Sequence, residues 1–196
     1  MNKRIRLIFA SVLSFLFLFT TVSASVLAAT YPITATFLAD YKGERTVRYE
    51  QRQDRPSGPV YVYTYYSGGS RSWRNHNPGN LKYGTFASTN GAVAKDDGNF
   101  AIFPDYDTGF AAFKTKVTVD YKGKTITEFL NIWAPPSEND TPAYIKYVVQ
   151  QIGGNVTAST KISSLTSTQQ TKMLDAMKTY EGFISGSIST LTIPLN

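Results

Sequence analysis

The amino-acid sequence of 196 residues has no cysteine and a single histidine, His76. A chain without cysteine forms no disulfide and offers no thiolate to a metal, so its stability depends on a hydrophobic core. One histidine excludes a histidine-rich zinc site, and a serine–histidine–acid triad would have to use His76, which lies among turn residues. No glycine-rich stretch has the spacing of a phosphate-binding loop. We therefore predict that the protein needs no metal, nucleotide or other cofactor.

Long hydrophobic runs are also scarce, with one exception near the N-terminus. Three basic residues within positions 2–6 precede the apolar run LIFASVLSFLFLF, and small residues follow it. The run is shorter than the roughly 20 residues of a membrane span, and this order of segments is typical of a secretory signal peptide. We predict a signal peptide at residues 1–29, cleaved after Ala29 or, alternatively, Ala24. A retained N-terminal anchor is the other interpretation. The protein is expected to be periplasmic or secreted.

The chain that remains after cleavage has the size of one domain and a mild positive charge. Its 167 residues carry seventeen basic and fourteen acidic side chains, which gives +3. A chain of this length can bury about two-thirds of its unfolded surface. The charge suits contact with an anionic cell envelope but is too small for a nucleic-acid interface. We expect a monomer with no membrane span after signal cleavage.

The apolar pattern changes along the chain. Residues 30–70 alternate and are rich in tyrosine, valine and threonine, which predicts short strands in a β-rich N-terminal extension. Beyond residue 105 the spacing is helical. Thr125 begins a capping box, Pro142 stands in the first turn of the next helix, and the last helix ends at Tyr180. We predict an α+β protein that is mainly helical, with its functional domain at residues 71–196.

The segment RNHNPGNLKYG, residues 74–84, cannot be an ordinary helix. Pro78 fixes its own φ, Gly79 permits a positive φ, and asparagines favour turns. One interpretation is a polar surface loop. The other is a rigid, amide-rich wall that forms hydrogen bonds with a neutral polar ligand.

Carboxylates are the remaining candidates for acid–base chemistry. Glu181 follows the apolar stripe of the last helix and lies between Tyr180 and Phe183. The negative end of the helix dipole and the aromatic neighbours favour a protonated carboxyl, which a general acid needs. An exposed glutamate in the last turn is the alternative. Asp97 is our first choice as a second carboxylate. Glu138 is the second choice. It precedes a helix, where a carboxylate is favoured by the helix dipole, so a role in starting that helix is its alternative interpretation.

Four motifs occur in a particular order: RNHNPGNLKY (74–83), DGNFAIF (97–103), WAPPSENDTPAYI (133–145) and MKTYEGF (177–183). In this order they resemble lysozyme-like muramidase domains of phage virion proteins and of secreted bacterial cell-wall hydrolases. Residues 30–70 are not covered. Asparagine is usual in that group where His76 stands, and Tyr-Glu-Gly-Phe replaces the usual His-Glu-Asn-Gly. The resemblance implies a lysozyme-like fold, circularly permuted, in which Glu181 meets the 74–84 loop.

The resemblance also implies a function. It suggests an exported glycosidase, a muramidase or a lytic transglycosylase, that cleaves the MurNAc–GlcNAc backbone of peptidoglycan glycan strands. Glu181 would be the general acid and Asp97 the second catalytic group. The implied substrate-binding residues are Arg74, Asn77, Asn80, Tyr83, Trp133, Glu138 and Asn139. Arg74 fits equally well as a brace of the loop, and Trp133 fits as a core residue.

Other functions stay open at this point. A lysozyme-like module that binds peptidoglycan or serves a structural role without catalysis is the main alternative. An interaction protein that uses the tyrosine-rich strands near residues 59–66 is a third. An inhibitor or immunity protein is a compatible further partner.

Overall fold

The computed structural model describes residues 31–195 except residue 42, so the predicted signal peptide lies outside the described residues. The elements in chain order are β1 (Thr34–Tyr41), β2 (Glu44–Arg55), β3 (Gly58–Ser67), α1 (Arg71–Arg74), α2 (Thr85–Thr89), β4 (Ala94–Lys95), β5 (Ala101–Ile102), α3 (Tyr106–Thr115), α4 (Ile126–Trp133), α5 (Thr141–Ile152), α6 (Ser167–Tyr180) and β6 (Ser187–Pro194). A π-helical turn, Lys116–Asp120, continues α3, and a 3-10 turn, Ile162–Ser164, precedes α6. Within the described part of the chain, no helix combines the length and apolarity that crossing a membrane requires.

A four-stranded antiparallel sheet has the order β1-β2-β3-β6. The last strand pairs with β3, with Leu191 opposite Tyr63, so the sheet joins segments from both ends of the described chain. The described residues are about 38% helical and 27% strand. The prediction of a mainly helical, lysozyme-like and circularly permuted fold is therefore wrong, and the fold is mixed α+β.

The strand β6 explains part of this error. Its eight residues, SISTLTIP, are all exposed, so no buried apolar face marks them as a strand. The strand is formed by pairing with β3, a contact between segments more than a hundred residues apart, and a local pattern does not report such pairing.

One face of the sheet packs on the rest of the protein through Val47 and Tyr49, which form a buried cluster with Ile102 of β5. The Tyr49 hydroxyl donates to the carbonyl oxygen of Arg74 at 2.6 Å. Its ring stacks on His76 with 4.4 Å between centroids. Burial lowers the pKa of His76, which favours the neutral imidazole. The single histidine is thus part of the contact between the sheet and the 74–84 loop.

The helices α4, α5 and α6 enclose the main core, which includes Phe129, Leu130, Val148, Met173 and Met177. Their starts follow the predicted local signals. The Thr125 capping box begins α4, and a second one at Thr166 begins α6. Asp140 caps α5, with proline in its first turn. The predicted starts of α4 and α5 are confirmed, and the Thr166 capping box was not predicted; each start depends on a side chain that bonds its own neighbours.

Candidate active site

A cleft of about 740 Å³ lies between the 74–84 loop and the helices. This volume is within the range of sites that bind small ligands or sugar units. Its charged and aromatic lining residues are Arg71, Lys82, Lys116, Glu138, Glu181, Phe86, Phe100, Tyr121 and Trp133. The lining thus combines two carboxylates, three cations and four rings.

Glu181 is the C-cap residue of α6, and its backbone N–H donates to the carbonyl oxygen of Met177 at 2.9 Å. Gly182 follows with φ of 72°, the left-handed conformation that ends many helices. The half-buried Glu181 side chain faces the 74–84 loop, where Asn80 Nδ2 lies 3.5 Å from Oε2. The structure therefore brings together the helix end and the loop, although 101 positions separate these residues.

Tyr144 of α5 provides a second contact to Glu181. Its buried hydroxyl donates to Glu181 Oε1 at 3.1 Å, and its ring stacks on Tyr180 with centroids 4.0 Å apart. Burial, together with the Glu181 charge, strongly raises the pKa of Tyr144, so the hydroxyl keeps its proton and acts as a donor. The sequence did not indicate this residue, although it lies in the WAPPSENDTPAYI motif. A buried tyrosine on an amphipathic helix looks like any other core residue.

The two candidates for a second carboxylate have different positions. Asp97 forms an ion pair with Arg45 of β2, and it is not among the described residues that line the cleft. Glu138 and Asn139 do line it, and a turn presents both of them, since their N–H groups donate to the carbonyl oxygen of Pro135. The structure therefore places Glu138, rather than Asp97, in the same cleft as Glu181.

The neighbour of Asp97 points inward instead. Asp96 is buried and accepts hydrogen bonds from the N–H groups of Gly98 and Phe100 and from Asn75 Nδ2, each at 2.9 Å. It also forms an ion pair with Arg71, with Nε 3.1 Å from Oδ2. Two adjacent aspartates thus have opposite orientations, which the sequence alone did not distinguish.

Two predicted substrate-binding residues lie inside the protein. Asn77 donates from Nδ2 to the carbonyl oxygens of Leu81 and Ala101, and its Oδ1 accepts from the Leu81 N–H, all at 2.9 Å. Arg74 is buried and donates from Nη1 to the carbonyl oxygens of Gly68 and Gly69 at 2.7 Å. These bonds hold both side chains against backbone carbonyl groups inside the protein, so the two residues stabilise the loop rather than face a ligand.

Of the two aromatic residues predicted to bind substrate, only one is among the described residues that line the cleft. Tyr83 packs beside the buried cluster around Leu81 and Phe103, and the described lining of the cleft does not include it. Trp133 does line the cleft, while its ring lies 5.5 Å from Phe113 and 5.4 Å from Phe129 between centroids. Trp133 therefore serves both the core and the cleft wall.

Three cations in the lining were not predicted. The Arg71 guanidinium lies 4.4 Å, and the Lys82 ammonium 3.5 Å, from the centroid of the same Phe100 ring. Lys116 begins the π-helical turn and donates to Asp120 at 2.5 Å. Within the described residues, no group of three histidine, aspartate or glutamate side chains is arranged to hold a metal ion.

No protein-family model, curated protein or solved structure matches the chain. The geometry of the cleft is therefore the basis for assigning a function.

Proposed function

We propose that this protein is an exported glycosidase that cleaves the MurNAc–GlcNAc backbone of peptidoglycan. One observation carries the proposal: the Glu181 carboxyl stands in a cleft of oligosaccharide size, and Asn80 and Tyr144 contact its two oxygens from separate parts of the chain. A general acid must be held in a fixed orientation toward the bond that breaks, and such contacts provide that orientation.

In the proposed reaction, Glu181 protonates the glycosidic oxygen as the bond to the anomeric carbon breaks. Tyr144 donates to one carboxyl oxygen and fixes the plane of the group. The contact from Asn80, at 3.5 Å, is long for a hydrogen bond, so a sugar oxygen can displace it at little cost. The anomeric carbon then develops oxocarbenium character, which a nearby carboxylate stabilises.

The rest of the cleft suits N-acetylated sugars. Trp133, Tyr121 and Phe86 offer apolar surfaces to sugar rings, while Asn80 and Asn139 offer amides to acetamido groups. The motif order resembles that of muramidase domains in phage virion proteins and secreted bacterial hydrolases, and the predicted signal peptide agrees with a substrate outside the cytoplasm. These features support peptidoglycan as the substrate class.

Glu138 takes the role of second carboxylate in this proposal, because it lines the cleft with Glu181 and Asp97 does not. If Glu138 positions water or stabilises the anomeric centre, the product has a reducing MurNAc end. If the muramyl hydroxyl attacks instead, the product has an anhydro end, as in a lytic transglycosylase. Mass spectrometry of the released fragments distinguishes the two outcomes.

The test is Glu181→Gln, assayed by turbidity loss and fragment release from purified peptidoglycan. The variant should lose cleavage and keep binding to the insoluble wall, because the amide preserves shape but has no proton to transfer as an acid. Glu44→Gln, at the exposed first residue of β2, is the matched control and should cleave normally. If the wild-type protein binds the wall but releases no fragment, it is a binding module and the proposal is wrong.

A further inference from the structure

Arg71 and Lys82 form a cationic pair at the cleft, organised around one ring. Their charged groups lie 4.4 Å and 3.5 Å from the Phe100 centroid, so they are no more than about 8 Å apart. Both residues line the same cleft as Glu181. Two like charges in such proximity repel each other, and an anion between or beside them relieves that repulsion.

A short turn holds both cations in place. Buried Asp96 accepts hydrogen bonds from N–H groups of the turn, and its Oδ2 lies 3.1 Å from Arg71 Nε. Lys82 Nζ donates to the carbonyl oxygen of Gly98 at 2.9 Å. Residues 96–100 thus supply the carboxylate, the ring and the carbonyl that orient the pair.

The local charge is not balanced within the protein. Asp96 offsets one of the two cations, and nearby Asp97 is already paired with Arg45. After burial, Arg45 and Arg71 lower the pKa of buried Arg74, while Asp96 and Asp97 oppose this shift. The four cations Arg45, Arg71, Arg74 and Lys82 thus outnumber Asp96 and Asp97 around this turn, and Glu138 and Glu181 lie elsewhere along the cleft.

We propose that Arg71 and Lys82 form a subsite for carboxylates that the substrate carries beside its sugars, namely the free carboxylates of peptides attached to the glycan. This inference rests on the proposed function, since it makes the two cations the residues that select peptide-bearing strands over uncharged ones. Guanidinium and ammonium groups held in advance bind carboxylates through charge-assisted hydrogen bonds.

The experiment compares two double variants, Arg71→Gln/Lys82→Gln and Arg52→Gln/Lys146→Gln. The second is a matched control that loses the same charge outside the cleft. Arg52 has a side-chain exposure of 40%, against 39% for Arg71. Like Arg71 it lies over an aromatic ring, here that of Tyr31, and pairs with a carboxylate. Lys146, like Lys82, is exposed. Thermal unfolding first establishes that both variants are folded.

The substrates are soluble glycan strands with peptides that have free carboxylates, and the same strands after the carboxylates are converted to amides. The measured quantity is the ratio of kcat/KM for the two substrates. Wild type and control should prefer the free carboxylates by about tenfold, the size expected for one or two exposed charge-assisted contacts, and added salt should weaken this preference. The cleft variant should have a ratio near one.

The subsite proposal is overturned if the cleft variant keeps the preference, or if the control loses it equally. The dissociation constants for the two substrates are also measured, with Glu181→Gln added to each protein to prevent cleavage, and their ratio is compared in the same way. If wild type cleaves neither strand, the glycosidase proposal fails, and the binding ratio still decides whether Arg71 and Lys82 recognise carboxylates. A binding preference that disappears only in the cleft variant supports the subsite independently of catalysis.

Discussion

Tyr144→Phe tests whether the orientation of Glu181 depends on a buried hydroxyl. The substitution removes the donor that lies 3.1 Å from Glu181 Oε1 and leaves the ring stacked on Tyr180. A hydrogen bond to a charged group contributes about 1.5–3 kcal/mol, which corresponds to roughly 10- to 100-fold in rate if it is lost only in the transition state. We expect kcat to fall by that factor.

The Michaelis constant should change little, because Tyr144 does not belong to the described lining of the cleft. Stability should also change little, since among the described residues the hydroxyl has one other hydrogen bond, a long one of 3.4 Å to the Met177 carbonyl oxygen. The assay is turnover of soluble glycan strands over a range of concentrations, with thermal unfolding in parallel.

Tyr147→Phe is the matched control. Its ring also packs on Tyr180, with centroids 5.5 Å apart, but no hydrogen bond joins it to Glu181. A normal kcat in Tyr144→Phe would refute the positioning role. So would a loss of kcat that merely follows a lower unfolding temperature, or an equal loss in Tyr147→Phe.

Two further predictions concern the 74–84 loop. Asn77→Ala should lower the free energy of unfolding by about 2–4 kcal/mol, because it leaves buried backbone groups unpaired. Asn80→Gly should keep the free energy of unfolding within about 1 kcal/mol of wild type and reduce kcat. Urea unfolding and turnover measurements distinguish the two variants, and equal effects would contradict the assignment. Burial lowers the pKa of His76 below 6.5, so the unfolded chain binds more protons and the free energy of unfolding should fall as the pH drops below that value. His76→Asn, which tolerates the positive φ of 49°, should reduce this pH dependence in urea unfolding at pH 7.5 and 5.5, and an unchanged dependence would exclude His76 as its source.

Local chemistry in the sequence predicted the starts of α4 and α5 and the strands within residues 30–70, but not the pairing of β6 with β3. The caps at Thr125 and Asp140 bond residues three positions away, so the sequence contains the whole interaction. The pairing of β6 with β3 depends on residues far apart, and the exposed β6 has no alternation of burial to reveal it. The predicted strands of residues 30–70 therefore have a partner strand that the sequence did not indicate.

The sequence predicted some residues of the candidate site but not the positions of their side chains. The motifs indicated Glu181 and the loop that it meets, and Asn80 provides the observed contact. They did not distinguish Asn77 from Asn80, because both are asparagines in one turn and only the fold determines which amide is buried. The sequence did not predict the cationic pair for the same reason, since only the fold brings Arg71 and Lys82 to the same Phe100 ring.

Glycine is required near the 74–84 loop because there is no room for a side chain, not because the backbone needs a positive φ. The sequence suggested that Gly79 supplies a positive φ, but the left-handed residues of the loop are His76 and Asn80. A Cβ on Gly79 would lie 2.4 Å from the Phe113 ring, and one on Gly109 would lie 1.7 Å from the carbonyl oxygen of His76. Both Phe113 and Gly109 belong to α3, so two contacts that tolerate no side chain hold the loop against that helix. This attachment places the backbone of the loop from which the Asn80 side chain extends toward Glu181.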